Sequence, residues 1–172
     1  MSNCLIIIMG VSGCGKTSVS TSLAETYNFH YMEADDFHSE EAKAMMARGQ
    51  ALNDKMRQPW IQKIKQSLIE KSSANQSTVL SFSGLRRAHR EAFRNLFDTT
   101  LFLHLVAPYD VILARMNKRT DHFMPATLLE SQFAALEPNL NETDIVDLDA
   151  RLSITQLIEQ ASQTIDQHIP HR

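Results

Sequence analysis

The sequence predicts an α/β fold: a doubly wound parallel β-sheet of about five strands, flanked by helices. Three observations carry this. CLIIIM (4–9) is a continuous aliphatic run, as expected of a strand buried on both faces of a parallel sheet. MGVSGCGKTS (9–18) follows it and holds three of the chain's five glycines. Downstream, short apolar runs alternate with helical stretches, the rhythm of βαβ units.

The elements read in order. Residues 15–27 form a helix with Val19, Leu23 and Ala24 on one face, and NFHYME (28–33) is a second strand. Residues 37–48 are helical, ending near Gly49. A further helix runs from Asn53 to Ser72, where Pro59 implies either a start near 58 or a kink. STVLSFS (77–83) is the third strand, and RRAHREAFRNLF (86–97) is helical, with Phe93 and Phe97 one turn apart. TTLFLHLVA (99–107) is the fourth strand, followed by a helix over 108–119 with Pro108 in its first turn. TDHFMP (120–125) is a polar-aromatic loop before a helix over 126–136. DIVDLD (144–149) is a fifth strand, and 152–168 closes as a helix.

The totals narrow the function classes. A length of 172 residues fits a single domain over 1–172 with a core that needs no staples. The net charge of −3 offers no broad basic surface, so a nucleic-acid partner is not expected. Cys4 and Cys14 make no disulfide framework and suit a reducing compartment; Cys14 reads as a small loop filler rather than a reactive thiol. The opening residues lack a basic leader, and no window approaches the about 20 apolar residues of a bilayer span. A cytoplasmic chain with no membrane partner is expected.

The glycine-rich stretch spells G-x-x-x-x-G-K-T with Gly10, Gly15, Lys16 and Thr17, between a buried strand and a helix, the context this motif requires. Glycines admit backbone conformations that turn successive N–H groups inward, and the helix N-terminus completes an anion nest. The fold is thus of the P-loop NTPase type. Gly10, Ser12, Gly13, Cys14, Gly15, Lys16, Thr17 and Ser18 are expected around the phosphates of ATP, with Lys16 on the β- and γ-phosphates and the Thr17 hydroxyl on Mg²⁺.

A P-loop names a nucleotide site, not a reaction. A guanine-reading N-K-x-D is absent: NKRTD (117–121) has one residue too many and ends a helix. EADDFH (33–38) follows the second strand, where a parallel sheet faces its ligands. Asp35 or Asp36 there could accept a hydroxyl proton, which favours a small-molecule kinase over a nucleotide-dependent switch. Arg115 and Arg119 are four residues apart, so they share a helix face, and a mobile arginine can neutralise a transferring γ-phosphoryl.

GVSGCGKT (10–17), Asp35 with His38, GQALNDKMRQPW (49–60), SGLRRAHR (83–90) and RTDHFMPATLLESQFAALE (119–137) together resemble the gluconokinase family, small P-loop kinases similar to shikimate kinase, nearly end to end. The resemblance implies ATP-dependent phosphorylation of D-gluconate to 6-phospho-D-gluconate, by a homodimer. It implies Asp35 as catalytic base, Glu33 near Mg²⁺, His38 and Arg57 on the sugar acid, and His122 and Gln132 near it. Arg119 becomes the arginine of a mobile lid over about 119–126, and Arg115 flanks the adenine. Ala42, Met56 and His89 stand where the family carries asparagine, aspartate and tyrosine. These departures cluster on the acceptor side. A different aldonate or a shikimate-like metabolite is therefore the alternative acceptor, and a nucleotide-binding regulator the non-enzymatic alternative.

Overall fold

A computed structural model describes residues 2–119 and 125–169. Strands β1 (Cys4–Met9), β2 (His30–Glu33), β3 (Thr78–Ser81), β4 (Thr99–Val106) and β5 (Ile145–Asp149) form one sheet in the order β2-β3-β1-β4-β5. All four pairings are parallel. The helices are α1 (Lys16–Tyr27), α2 (Glu40–Ala47), α3 (Asp54–Ser73), α4 (Arg87–Glu91), α5 (Tyr109–Lys118), α6 (Ala126–Ala135) and α7 (Ile154–His168).

β1 is central and buried along its whole length, which is why it carries no polar alternation. Its side chains alternate between two cores. Ile6 and Ile8 join Leu101 and Leu103 under α1 and α7, which contribute Val19, Leu23, Leu157 and Ile165. Leu5, Ile7 and Met9 join Phe102 under α3, which contributes Trp60, Ile61, Ile64 and Leu68. Each such aliphatic side chain is worth roughly 1.5–3 kcal/mol when fully buried. The sheet therefore presents a rigid carboxyl edge to whatever binds there.

Side-chain caps decide several helix starts. The Ser39 hydroxyl accepts from the Ala42 N–H at 3.1 Å, and Asn53 Oδ1 accepts from the Met56 N–H at 2.8 Å. Ser153 and Gln156 form a reciprocal capping box at α7. The Asn53 cap settles the question at Pro59: α3 begins at Asp54, and Pro59 falls in its second turn. The helix expected over 37–48 divides into a 3₁₀ turn (Ala34–Phe37) and α2, because Ser39 caps between them.

The helix expected over 86–97 is shorter, ending at Glu91. Ion pairing overrides helical propensity there. Arg90 is fully buried and bidentate to Glu142 at 3.0 and 2.6 Å, and its other nitrogen donates to the Gly84 carbonyl at 2.8 Å. Arg94 reaches Asp144 at 2.6 Å and Glu142 at 2.7 Å. Asn95 then turns the chain with a φ of 62°. Phe93 and Phe97 still enter the core, but not from one helix face.

Of the loop expected over 120–125, residues 120–124 lie outside the described residues, and His122 with them. Among the described residues, no helix is long and apolar enough to cross a membrane.

Candidate active site

The β1–α1 connection holds the phosphate-binding motif. Gly10 has a φ of +144°, and a Cβ there would meet the Leu105 carbonyl oxygen and Cys14 Sγ, each at 2.8 Å. Gly15 begins α1 at a φ of 106°. Neither position accepts a side chain without strain. Cys14 is buried behind the loop, as the filler reading expects. Lys16 Nζ donates to the Val11 carbonyl at 3.0 Å, so its charge is held across its own loop.

A cleft of 570 Å³ opens at the carboxyl ends of the strands, a volume suited to small ligands. It gathers Ser12, Gly13, Gly15, Lys16, Thr17 and Ser18 on one wall. Glu33, Asp35, His38 and Arg57 also line it, and Arg119 and Gln132 complete it. A cavity of 700 Å³ at the other end of the sheet, beside Asn3, Tyr27 and His30, holds none of these groups.

The Thr17 hydroxyl donates to Glu33 Oε2 at 3.0 Å, and the Tyr31 hydroxyl donates to the same oxygen at 2.8 Å. Burial, followed by this bond to Glu33, raises the Tyr31 phenol well above its ordinary value, so it stays a donor. Two hard oxygen donors thus meet at the foot of the P-loop, a set that suits a cation such as Mg²⁺.

The Asp35 segment rests on Trp60, whose indole N–H donates to the Ala34 carbonyl at 2.7 Å. The His38 ring stacks on Trp60 with centroids 4.3 Å apart. Burial, then the charges of Lys43 and Arg57, pushes the imidazole down to about 4. His38 is therefore neutral at pH 7, and its 3.8 Å approach to Asp35 is not an ion pair. Its Nδ1 is buried with no hydrogen-bond partner among the described residues. Arg57 leans on Asp54 at 3.1 Å, and Arg86 approaches the same carboxylate at 3.5 Å.

The shikimate kinase family matches residues 12–166 of the chain. The thermosensitive gluconokinase of Escherichia coli K12 is 36% identical over 160 residues, covering 92% of this chain and 86% of that one. A gluconokinase structure from Sinorhizobium meliloti superimposes with a TM-score of 0.85 at 32% identity, covering 94% and 91% of the two chains. The chain belongs to the gluconokinase family. A sugar kinase structure from Janibacter sp. HTCC2649 agrees, with a TM-score of 0.90 at 39% identity over 98% of this chain and 96% of that one.

Several positions in this gluconokinase-family site differ from the sequence expectation. Arg119 lines the cleft but does not share a helix face with Arg115, because α5 ends at Lys118 and Arg119 continues in extended backbone. Arg115 is not among the residues lining this cleft; its charge reaches Asp149 at the carboxyl end of β5, where Arg151 is the main partner holding that carboxyl at about 2. Gln132, expected near the acceptor, has both its amide atoms on Ser12 of the P-loop. Sequence reasoning missed Lys43 and Trp60 as cleft residues. The aromatic support under His38 had no signal in a lone tryptophan, which reads as core.

Proposed function

We propose that this chain transfers the γ-phosphoryl group of ATP to D-gluconate, giving ADP and 6-phospho-D-gluconate. The observation that carries the proposal is that Asp35, His38 and Arg57 line one cleft together with the P-loop, in a chain of the gluconokinase family. The P-loop amides and Lys16 bind the phosphates, Lys16 exchanging its bond to the Val11 carbonyl for phosphate oxygens. Thr17 and Glu33 would hold Mg²⁺, which when bound offsets phosphate charge. Arg57 offers the sugar acid's carboxylate a forked donor. His38, neutral and with an unpartnered Nδ1, orients a hydroxyl. The acceptor's hydroxyl oxygen attacks the γ-phosphorus in line, its proton passes to Asp35, and the bond to the β–γ bridging oxygen breaks, leaving ADP. Arg119 offsets charge on the γ-phosphoryl oxygens, and Arg115, whose charge reaches Asp149 at the carboxyl end of β5, flanks the base outside this cleft.

We also infer a homodimer of single-domain chains in the cytoplasm, the dimer from family resemblance and the compartment from cysteine usage. Incubation with Mg-ATP and gluconate tests the reaction: a phosphorylated aldonate by mass spectrometry supports it, and ATP binding without acceptor-dependent ADP contradicts it. A different aldonate is the second reading. It is favoured by His89, which sits close enough to Arg57 for that charge, after burial, to lower its pKa.

A further inference from the structure

Helix α6 is hydrogen-bonded to the P-loop through Gln132. The Ser12 backbone N–H donates to Gln132 Oε1 at 2.7 Å, and Gln132 Nε2 donates to the Ser12 hydroxyl at 3.0 Å. Both polar ends of the amide engage a single residue 120 positions away in the chain. At the start of α6, Pro125 lies against the turn between α2 and α3: a Cβ on Gly49 would meet Pro125 Cγ at 2.9 Å. One helix thus spans from the turn between α2 and α3 to the P-loop.

We propose that Gln132 is a positioning residue for the nucleotide, acting through Ser12, and not a ligand of the acceptor. The P-loop has positive φ at Gly10, Gly13 and Gly15, so its sequence admits many alternative shapes. A loop that must be ordered on binding loses affinity, and one fixed beforehand does not. Gln132 fixes it at Ser12, between the first two of those glycines. The residue type fits this task. A carboxamide accepts from an N–H and donates to a hydroxyl while remaining neutral beside the triphosphate. Glutamate would add a negative charge there, and lysine could not accept from the N–H.

This inference rests on the nucleotide reading of the P-loop. Its test is ATP affinity without acceptor, measured by calorimetry, beside steady-state kinetics. Gln132→Ala is expected to weaken ATP binding about 5- to 30-fold, the loss of two hydrogen bonds, while the KM for gluconate stays at its wild-type value. Gln132→Met keeps the side chain's length and packing without its polar atoms, and is expected to match Gln132→Ala; a thermal melt verifies that either variant is folded. Unchanged ATP affinity in Gln132→Met, or a raised gluconate KM with normal ATP affinity, overturns the proposal. If the wild-type chain binds ATP but phosphorylates no gluconate, the proposed acceptor fails while the ATP titrations still decide the role of Gln132.

Discussion

Thr17 and Glu33 meet at 3.0 Å, joining the first turn of α1 to the end of β2. The contact places a carboxylate beside the P-loop hydroxyl, and Tyr31 donates to the same carboxylate oxygen. Glu33→Gln keeps the size and hydrogen bonding of this group but removes its charge. The KM for Mg²⁺ is expected to rise about 10-fold or more, with the KM for gluconate unmoved. An unchanged Mg²⁺ dependence would reduce Glu33 to a structural partner of Thr17 and Tyr31.

Asp35 lines the same cleft as Lys16, with its carboxylate largely exposed. Asp35→Asn is expected to leave ATP affinity intact and to lower kcat by about 100-fold or more, the scale of a lost general base. Single-turnover measurements with saturating ATP check this. A variant with wild-type kcat would remove Asp35 from proton transfer and turn attention to Asp36, which lines the same cleft.

Arg57 is held by Asp54 at 3.1 Å and lines the cleft. Arg57→Ala is expected to raise the KM for the sugar acid by about 10-fold or more, since charge-assisted bonds contribute roughly 1.5–3 kcal/mol. The KM for ATP is expected to stay put. Equal effects on both substrates would sink the carboxylate assignment.

His38 makes stability depend on pH. The folded-state value of about 4 lies below the ordinary 6.5, so the unfolded chain binds the additional proton between these values. The contribution is fully present above about 6.5 and is lost as pH falls toward about 4, a range worth about 3 kcal/mol. His38→Phe preserves the stack on Trp60 without the titration. Urea midpoints followed across this range are expected to fall less steeply in the variant than in the wild type; parallel profiles would show that His38 protonates normally when folded.

The parts of this site legible in the sequence are those whose chemistry is local. The P-loop works through backbone geometry within one turn of chain, so Gly10, Gly15, Lys16 and Thr17 announce it at fixed spacing. β1 announced itself because burial on both faces leaves it no polar residue. The pairing of Ser12 with Gln132, the stack of His38 on Trp60 and the tie of Arg90 to Glu142 each join residues from separate elements. No periodicity or motif marks such partners, because the fold itself brings them together. The shortened α4 has the same origin: its helical pattern is real, but a buried and a half-buried ion pair, to partners 52 and 50 residues away, redirect the chain.

The acceptor is the central claim, and ADP release from Mg-ATP against gluconate, other aldonates, shikimate and nucleosides tests it most directly. The kcat/KM is expected to be highest for gluconate, with little turnover of shikimate or nucleosides. Efficient turnover of another aldonate with little of gluconate would contradict it, and would mark Ala42, Met56 and His89 as residues of a changed acceptor pocket.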